Sequence, residues 1–361
     1  MNIPNGLIHF HEYLILEIYA HGSKILFSMI AMLFVCSILM ISGCEKKLPP
    51  IKIGFAACLT GQLADLGIAG RNAVILAVED INEKGGIDGR VVELIIRDDK
   101  NVPETALKVD RDLIDQGVEA IIGHMTSSMS MAVLPLINAK KVVMISPTTT
   151  TNKLTGQDDF FFRITSPDRI QSGIMADYAF STLSLRNISA VYDVSNRDFT
   201  LAWLDAFKGI FQDMGGRVVM EKNFHALEEF SYMDMANQLL GVEPDGILII
   251  SGALHTAMLC QQIRKMNMDI PIISSGWAGT PELIHHGGVS VEGIALPQVF
   301  NHGSDSMDYL NFREKYLARY HMEPNFASVC SYEAASFLFA SMEGWDQKRE
   351  LLRDRLMARK F

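Results

Sequence analysis

The chain has 361 residues, 48% of them hydrophobic, enough for about two domains with sizeable cores. Its net charge is −10 and no long basic run occurs, so it lacks the positive footprint that a nucleic-acid partner requires. The five cysteines, Cys36, Cys44, Cys58, Cys260 and Cys330, show neither metal-ligand spacing nor a disulfide framework; buried apolar thiols are the simpler reading, for Cys58 at least.

In chain order, the first feature is an uncharged run from Ile25 to Ile41, preceded by Lys24 and closing in Leu39-Met40-Ile41-Ser42-Gly43-Cys44. A basic residue, an apolar core and small residues before a cut are the parts of an export signal. With Cys after the small residues, the stretch resembles a bacterial lipoprotein signal. That resemblance implies loss of residues 1–43, acylation of Cys44 as the first mature residue, and a chain exported and held to a membrane by lipid. Residues 44–50 then form a charged, Pro-broken tether. The rival is a plain transmembrane helix, which needs about 20 apolar residues; this run is slightly short and is interrupted by Ser28 and Ser37, with Ser42 directly after it. Residues 1–23 carry His9, His11, Glu12, Glu17 and His21 and fit neither picture. They are expected to precede the true start codon, or else to be a failed hydrophobic segment.

From residue 51 the pattern alternates strand and helix. Strands are expected at Ile51–Ala57, Val91–Arg97, Val118–Gly123 and Val142–Ser146, with helices over Ala64–Lys84, from Pro103 to near Gly117, and over Ser127 to Ala139. The strands are short and apolar on both faces, as in a parallel sheet covered on both sides. After Arg163 the pattern restarts, with strands at Ile188–Asp193, Arg217–Phe224, Gly246–Ser251, Ile270–Ser274 and Val291–Leu296. Between the first two, Leu201, Leu204, Phe207 and Phe211 fall on one helical face. From about Met307 only helices follow. Two successive runs of βα units predict an α/β chain of two doubly wound, Rossmann-like domains.

The stretches Ile121-Ile122-Gly123-His124-Met125-Thr126-Ser127-Ser128 and Ile145-Ser146-Pro147-Thr148-Thr149-Thr150-Thr151, together with Leu59-Thr60-Gly61, Glu79-Asp80-Ile81-Asn82, Phe162-Arg163, Gln171, Tyr192-Asp193, Gly215-Gly216 and Val291-Glu292-Gly293, resemble the type I solute-binding proteins of ABC importers, and within them the branched-chain amino-acid (Leu/Ile/Val) binding proteins. The resemblance spans roughly residues 50 to 360 and rests on the order and spacing of these segments. It implies two lobes joined by crossover strands and closing on a small ligand: 51–163 plus 297–361 as lobe 1, and 164–296 as lobe 2. It further implies ABC permease subunits as partners, no cofactor and no chemistry.

Thr126-Ser127-Ser128 follows a strand and opens a helix, where free N–H groups and hydroxyls suit a carboxylate. By resemblance, Ser127, with Ser128 beside it, binds the ligand carboxylate, and Thr149 and Thr150 form a second contact pair. A plain helix N-cap at Ser127 and a self-bonded turn at Thr148–Thr151 are the alternatives. In lobe 2, Arg197 stands where the family has an aromatic, and Gly276 where it has an acid for the ligand's ammonium. Trp277 offers a flat wall or a cation–π face. Arg197 either holds an anionic group or pairs with Asp198. The expected ligand is therefore a small carboxylate or amide lacking a free α-ammonium, unless Asp193 or Asp198 takes the ammonium.

No P-loop, Gly-x-Ser-x-Gly elbow or Gly-x-Gly-x-x-Gly after a strand occurs, His285-His286 lacks metal-spaced partners, and no base accompanies Ser127 as a nucleophile. The last segment, Leu351 to Phe361, resembles a late helix of the family, whose members continue into further strands. A fragment or non-functional truncated copy, and a sensing receptor subunit of the same fold, are the alternatives to a transport role.

Overall fold

The structure is a computed structural model in which residues 48–359 are described; the expected signal region, Cys44 and its lipidation lie outside them. The first lobe contains β1 (Ile51–Ala57), α1 (Ala64–Glu83), β2 (Val92–Asp98), α2 (Pro103–Asp115), β3 (Ala120–Gly123), α3 (Ser127–Lys140), β4 (Val143–Ser146) and β5 (Phe161–Arg163). Its sheet runs β2-β1-β3-β4-β5 with every pair parallel; Phe55 sits between Ile96 and Ile122 in register. Ile53, Phe55, Ile121, Ile122, Met144 and Ile145 are wholly buried. Their side chains alternate between two helix layers, so both faces need apolar residues and no polar alternation survives.

The second lobe contains α4 (Asp168–Asp177), β6 (Asn187–Asp193), α5 (Arg197–Asp213), β7 (Arg217–Phe224), α6 (Tyr232–Leu240), β8 (Gly246–Ile250), α7 (Ala253–Met266), β9 (Ile272–Ser274) and α8 (Pro281–Gly287). Its parallel sheet runs β7-β6-β8-β9. On α5 the buried side is a ladder in which Trp203 stacks on Phe207 at 5.6 Å and Phe207 on Phe211 at 5.3 Å between ring centroids. Leu204 joins it, whereas Leu201 is only partly buried.

The chain then returns to the first sheet through α9 (Met307–Tyr320), α10 (Phe326–Met342) and α11 (Arg349–Ala358). The helix α10 lies close on α1, where a Cβ at Gly70 would come within 2.7 Å of the Ser331 hydroxyl. Tyr332 donates to Asp80 at 2.6 Å, and Arg349 of α11 donates to the Val118 carbonyl at 2.8 Å. Cys58, Cys260 and Cys330 are buried free thiols, each pushed up to about 12 by burial first of all.

Two segments differ from expectation. Phe161–Arg163 is a strand beside β4, although its short length gives no periodic signal. Val291–Leu296 is not a strand: a turn of 3-10 helix at Gly288–Val291 is followed by a single bridge, Ile273 to Ala295. Gly293 at φ +75° bends the chain there, and Pro297 has no N–H to extend a ladder. In each sheet the strand order reverses once, between β1 and β3 and between β6 and β8. The crevice beyond those carboxyl ends is where a doubly wound sheet takes its ligand.

Candidate functional site

The turn after β3 starts with Gly123 at φ +139°, where a Cβ would lie 2.2 Å from the Ala56 carbonyl oxygen; only glycine fits. Next comes His124, wholly buried, with Nδ1 2.6 Å from Asp99 and Nε2 3.2 Å from Asp110. Burial opposes its charge, but the carboxylates of Asp110 and Asp99 outweigh it and raise the imidazolium to about 10. The His124 carbonyl accepts from Ser146 Oγ at 2.6 Å and from Thr149 Oγ1 at 3.4 Å, which staples the β4 turn to the β3 turn.

This staple sets the hydroxyls of lobe 1. Ser127, the first residue of α3, accepts the backbone N–H groups of Thr150 and Thr151, both at 3.3 Å, so its own proton stays available to donate. Thr148 donates to the Met125 carbonyl at 2.5 Å, which leaves its lone pairs to accept. Thr149 is turned inward, its hydroxyl 2.8 Å from that of Ser130.

Lobe 2 meets this face directly. Asn196 Oδ1 accepts the Ser128 N–H at 3.1 Å, and the Asp198 N–H donates to Ser128 Oγ at 3.0 Å. Asn101 donates to the Ser195 carbonyl at 3.3 Å, Lys153 pairs with Asp198 at 2.6 Å, and Thr280 donates to Asp65 at 2.9 Å. Trp277, in the turn after β9, stands edge-on to Phe199 with centroids 5.8 Å apart. Gly276 is confined: a Cβ there would be 3.0 Å from Gln171 Oε1 and 3.2 Å from the Pro297 carbonyl.

Between the lobes lies a cavity of about 40 Å³, larger than the ~10–15 Å³ that one water requires. Ser127, Thr148, Thr150, Thr165, Gln171 and Asn196 give its polar lining; Leu66, Met125, Phe199, Trp277, Val299 and Phe326 give the apolar part. No ionisable side chain is among them. Behind Thr150 sits Asp168, only 1% exposed at the start of α4, with its N–H donating to the Thr150 carbonyl at 3.0 Å. Neither Asp168 carboxylate oxygen has a well-formed hydrogen bond. Burial pushes this acid up to about 7, and the Thr150 hydroxyl and Arg163 guanidinium offset only part of that.

Of the residues singled out from sequence, Ser127, Thr150 and Trp277 come together on the cavity wall. Ser128 instead bonds lobe to lobe, and Thr149 lies in the inner hydroxyl cluster. Arg197 is exposed at the first turn of α5 and is not part of the wall, so the positive lobe 2 surface expected there is absent. The two proposed ammonium partners are engaged elsewhere. Asp193 accepts from Ser195 N, Ser195 Oγ and Ala226 N, and Asp198 takes Lys153. Sequence reasoning missed Thr148, Asn196 and Asp168. The Pro167-Asp168 pair reads as an ordinary helix start, and only the fold places it behind Thr150.

Among the described residues, one group could collect a metal: the ligand atoms of Cys58, Asp98 and Asp99 lie within 4.8 Å of one another. Its oxygens are already committed, Asp98 to Leu59 N, Thr60 Oγ1 and Lys100 N, and Asp99 to His124 and Asn101 N. The buried thiol, at about 12, would have to lose its proton to bind.

A family model described as periplasmic binding protein matches residues 50–357. The leucine-, isoleucine-, valine-, threonine- and alanine-binding protein of Pseudomonas aeruginosa is 25% identical over 256 residues, 69% of this chain and 67% of that protein. The Leu/Ile/Val-binding protein of Escherichia coli K12 is 28% identical over 144 residues, 40% of this chain and 39% of that one. These matches span two thirds or less of the curated relatives. Among solved structures, the leucine-binding protein of Thermotoga maritima is similar at TM-score 0.78 and 26% identity, over 85% of this chain and 87% of that chain. A branched-chain amino-acid transporter substrate-binding protein of Streptococcus pneumoniae, solved with isoleucine, matches at TM-score 0.78, 25% identity and the same coverage. With the matched model spanning nearly the whole described chain, this protein belongs to the periplasmic binding protein family.

Proposed function

We propose that this protein is an extracytoplasmic solute-binding component that delivers an amino acid or a related small carboxylate to an ABC importer. The observation that carries this reading is the inter-lobe cavity, with Ser127 at the start of α3 free to donate toward a carboxylate, opposite Trp277 and Phe199. Residues 51–163 with 297–359 make the lobe that offers Ser127, Thr148 and Thr150, and 164–296 the lobe that closes on them. A ligand touching both favours the closed arrangement by its differential affinity, and no bond is made or broken. Relatives named for Leu, Ile, Val, Thr and Ala binding make those amino acids the first probes.

Calorimetry of the purified protein with these five amino acids and their des-amino acids tests the reading. Binding of at least one compound is expected, and Ser127→Ala should weaken it by about 1–3 kcal/mol with the circular dichroism spectrum unchanged. Full affinity in Ser127→Ala would remove the carboxylate from this position. Anchoring through Cys44 is a separate part of the proposal. Mass spectrometry of detergent-extracted protein should find a diacylglyceryl Cys44 and no peptide from 1–43; a mature chain keeping residues 25–41 would refute it.

A further inference from the structure

The bonds that join the lobes differ in their electrostatics. At one rim Asp198 of lobe 2 meets Lys153 of lobe 1, so closure pairs opposite charges. At the other, closure sets Asp65, in the first turn of α1, against Thr280 and α8. The Thr280 hydroxyl donates to Asp65 Oδ2 at 2.9 Å. Glu282 lies in the first turn of α8, so the hydroxyl arrives together with a second carboxylate that acts on Asp65. Among the described residues no cation pairs with Asp65, and Glu282 has its partner, His286 at 3.1 Å, on its own helix. This rim therefore brings like charges from opposite lobes together, around an acid that the contact leaves only partly exposed.

We propose that the Asp65–Thr280 contact is a proton-linked latch: the lobes close more readily when Asp65 is protonated and part as it ionises. Thr280 donates equally well to a carboxylate or to the carbonyl oxygen of a carboxylic acid, so the bond survives protonation. What protonation removes is the cost of enclosing a charge beside a like one. The latch takes from the function proposed above only that the lobes separate. It acts on the ligand-free chain and is the same whichever solute the cleft accepts.

Burial is the main cause that raises the proton affinity of Asp65 above its ordinary 3.8, and Glu282 adds to it; the bonds from Thr280 and from the Leu66 N–H offset part. The Cys58 thiol faces Asp65 from the turn after β1, but it holds its proton to about 12 and stays neutral. The turn that leads into Thr280, Gly276 to Gly279, carries no charged side chain. When the lobes part, Thr280 and Glu282 leave and water reaches the carboxyl, which then ionises near 3.8. The closed form thus binds more protons than the open one above that value. Its advantage is complete below 3.8 and is lost as pH rises through the higher closed-state value. Closing within that interval takes a proton from solvent.

The test is acrylamide quenching of tryptophan fluorescence in the ligand-free full chain at pH 4.5, 6 and 8. Trp277 lies on the inter-lobe wall and is shielded while the cleft is shut, whereas Trp203 and Trp345 are buried inside single lobes. The quenching constant should about double from pH 4.5 to pH 8 as the closed population falls. Asp65→Asn, of equal size and still an acceptor for Thr280, should keep the low value throughout, with its circular dichroism spectrum unchanged. Glu282→Gln, which leaves the latch bond intact, should show a smaller rise than the wild type and serves if the Asn variant does not fold. Thr280→Val should raise quenching at every pH. Quenching that is independent of pH in the wild type overturns the latch, as does a full rise that persists in Asp65→Asn or in Glu282→Gln. Either result leaves the solute-binding reading to its own calorimetric test.

Discussion

Replacing Asp168 with Asn should change how the stability of the ligand-free protein depends on pH, independently of any effect on binding. In the folded chain the acid is held at about 7, against 3.8 when unburied. Below the lower value both states carry the proton and the residue contributes nothing to the pH dependence. Between the two values the unfolded chain ionises while the folded chain stays protonated, so stability falls by about 1.4 kcal/mol per pH unit. Above the higher value the loss is complete, at about 4 kcal/mol. Asn cannot titrate. Any constant effect of its unpaired amide shifts the whole curve without tilting it. Urea denaturation of both proteins at pH 4.5, 6 and 8 measures the tilt. The difference in unfolding free energy should move by several kcal/mol in favour of Asp168→Asn from the lowest to the highest pH. Parallel curves would show that Asp168 is solvated or fully partnered in solution, and the electrostatic argument would fail.

Other outcomes follow from the same geometry. Thr149→Val should cost about 0.5–1.5 kcal/mol of stability for the lost Ser130 and His124 contacts and leave ligand affinity unchanged by calorimetry; a large affinity loss would place Thr149 in the cavity. His124 is raised above its unfolded value of 6.5 to about 10, so its contribution is complete below 6.5 and lost as pH rises through 10. His124→Gln should therefore lose most at pH 6 and least at pH 10 in urea melts, and a pH-independent loss would refute the charged triad. Thr280→Val combined with Asn196→Ala removes bonds on opposite rims, each worth about 1 kcal/mol. Small-angle scattering of the ligand-free protein should then show a larger radius of gyration, whereas an unchanged radius would mean that these bonds do not hold the lobes together.

The architecture was largely legible because its signals are local. Apolar runs such as Ile51–Ala57 and Gly246–Ile250, each ended by a turn and followed by a helix, are fixed by burial on both faces. Strand Phe161–Arg163 was not, since three residues carry no period and pairing with β4 is a tertiary decision. At the site, Ser127, Thr150 and Trp277 follow strand ends, where side-chain placement is dictated by the preceding ladder. Thr149 and Thr150 are neighbours with opposite orientations, which only the hydroxyl bonds to Ser130 and His124 decide. Arg197 and Asp168 show the same limit: both open helices, and whether such a residue faces solvent or the interior depends on what the other lobe brings against it.

The bonds that clasp the two lobes run from protein to protein: Asn101 to Ser195, Ser128 to Asn196 and Asp198, Lys153 to Asp198, and Asp65 to Thr280. A share of the closing free energy is therefore the same whatever the cleft holds. Such a share raises apparent affinity, since less of each ligand's own interaction is drawn on to shut the cleft. In the proposed transport role it would also narrow the contrast between loaded and unloaded protein that a permease could sense. A strong clasp favours capture of scarce solute at the cost of unproductive docking; a weak one does the reverse. In that role the rim bonds outside the cavity wall, such as Lys153 to Asp198 and Thr280 to Asp65, would set a balance between scavenging and fidelity without altering the cavity lining.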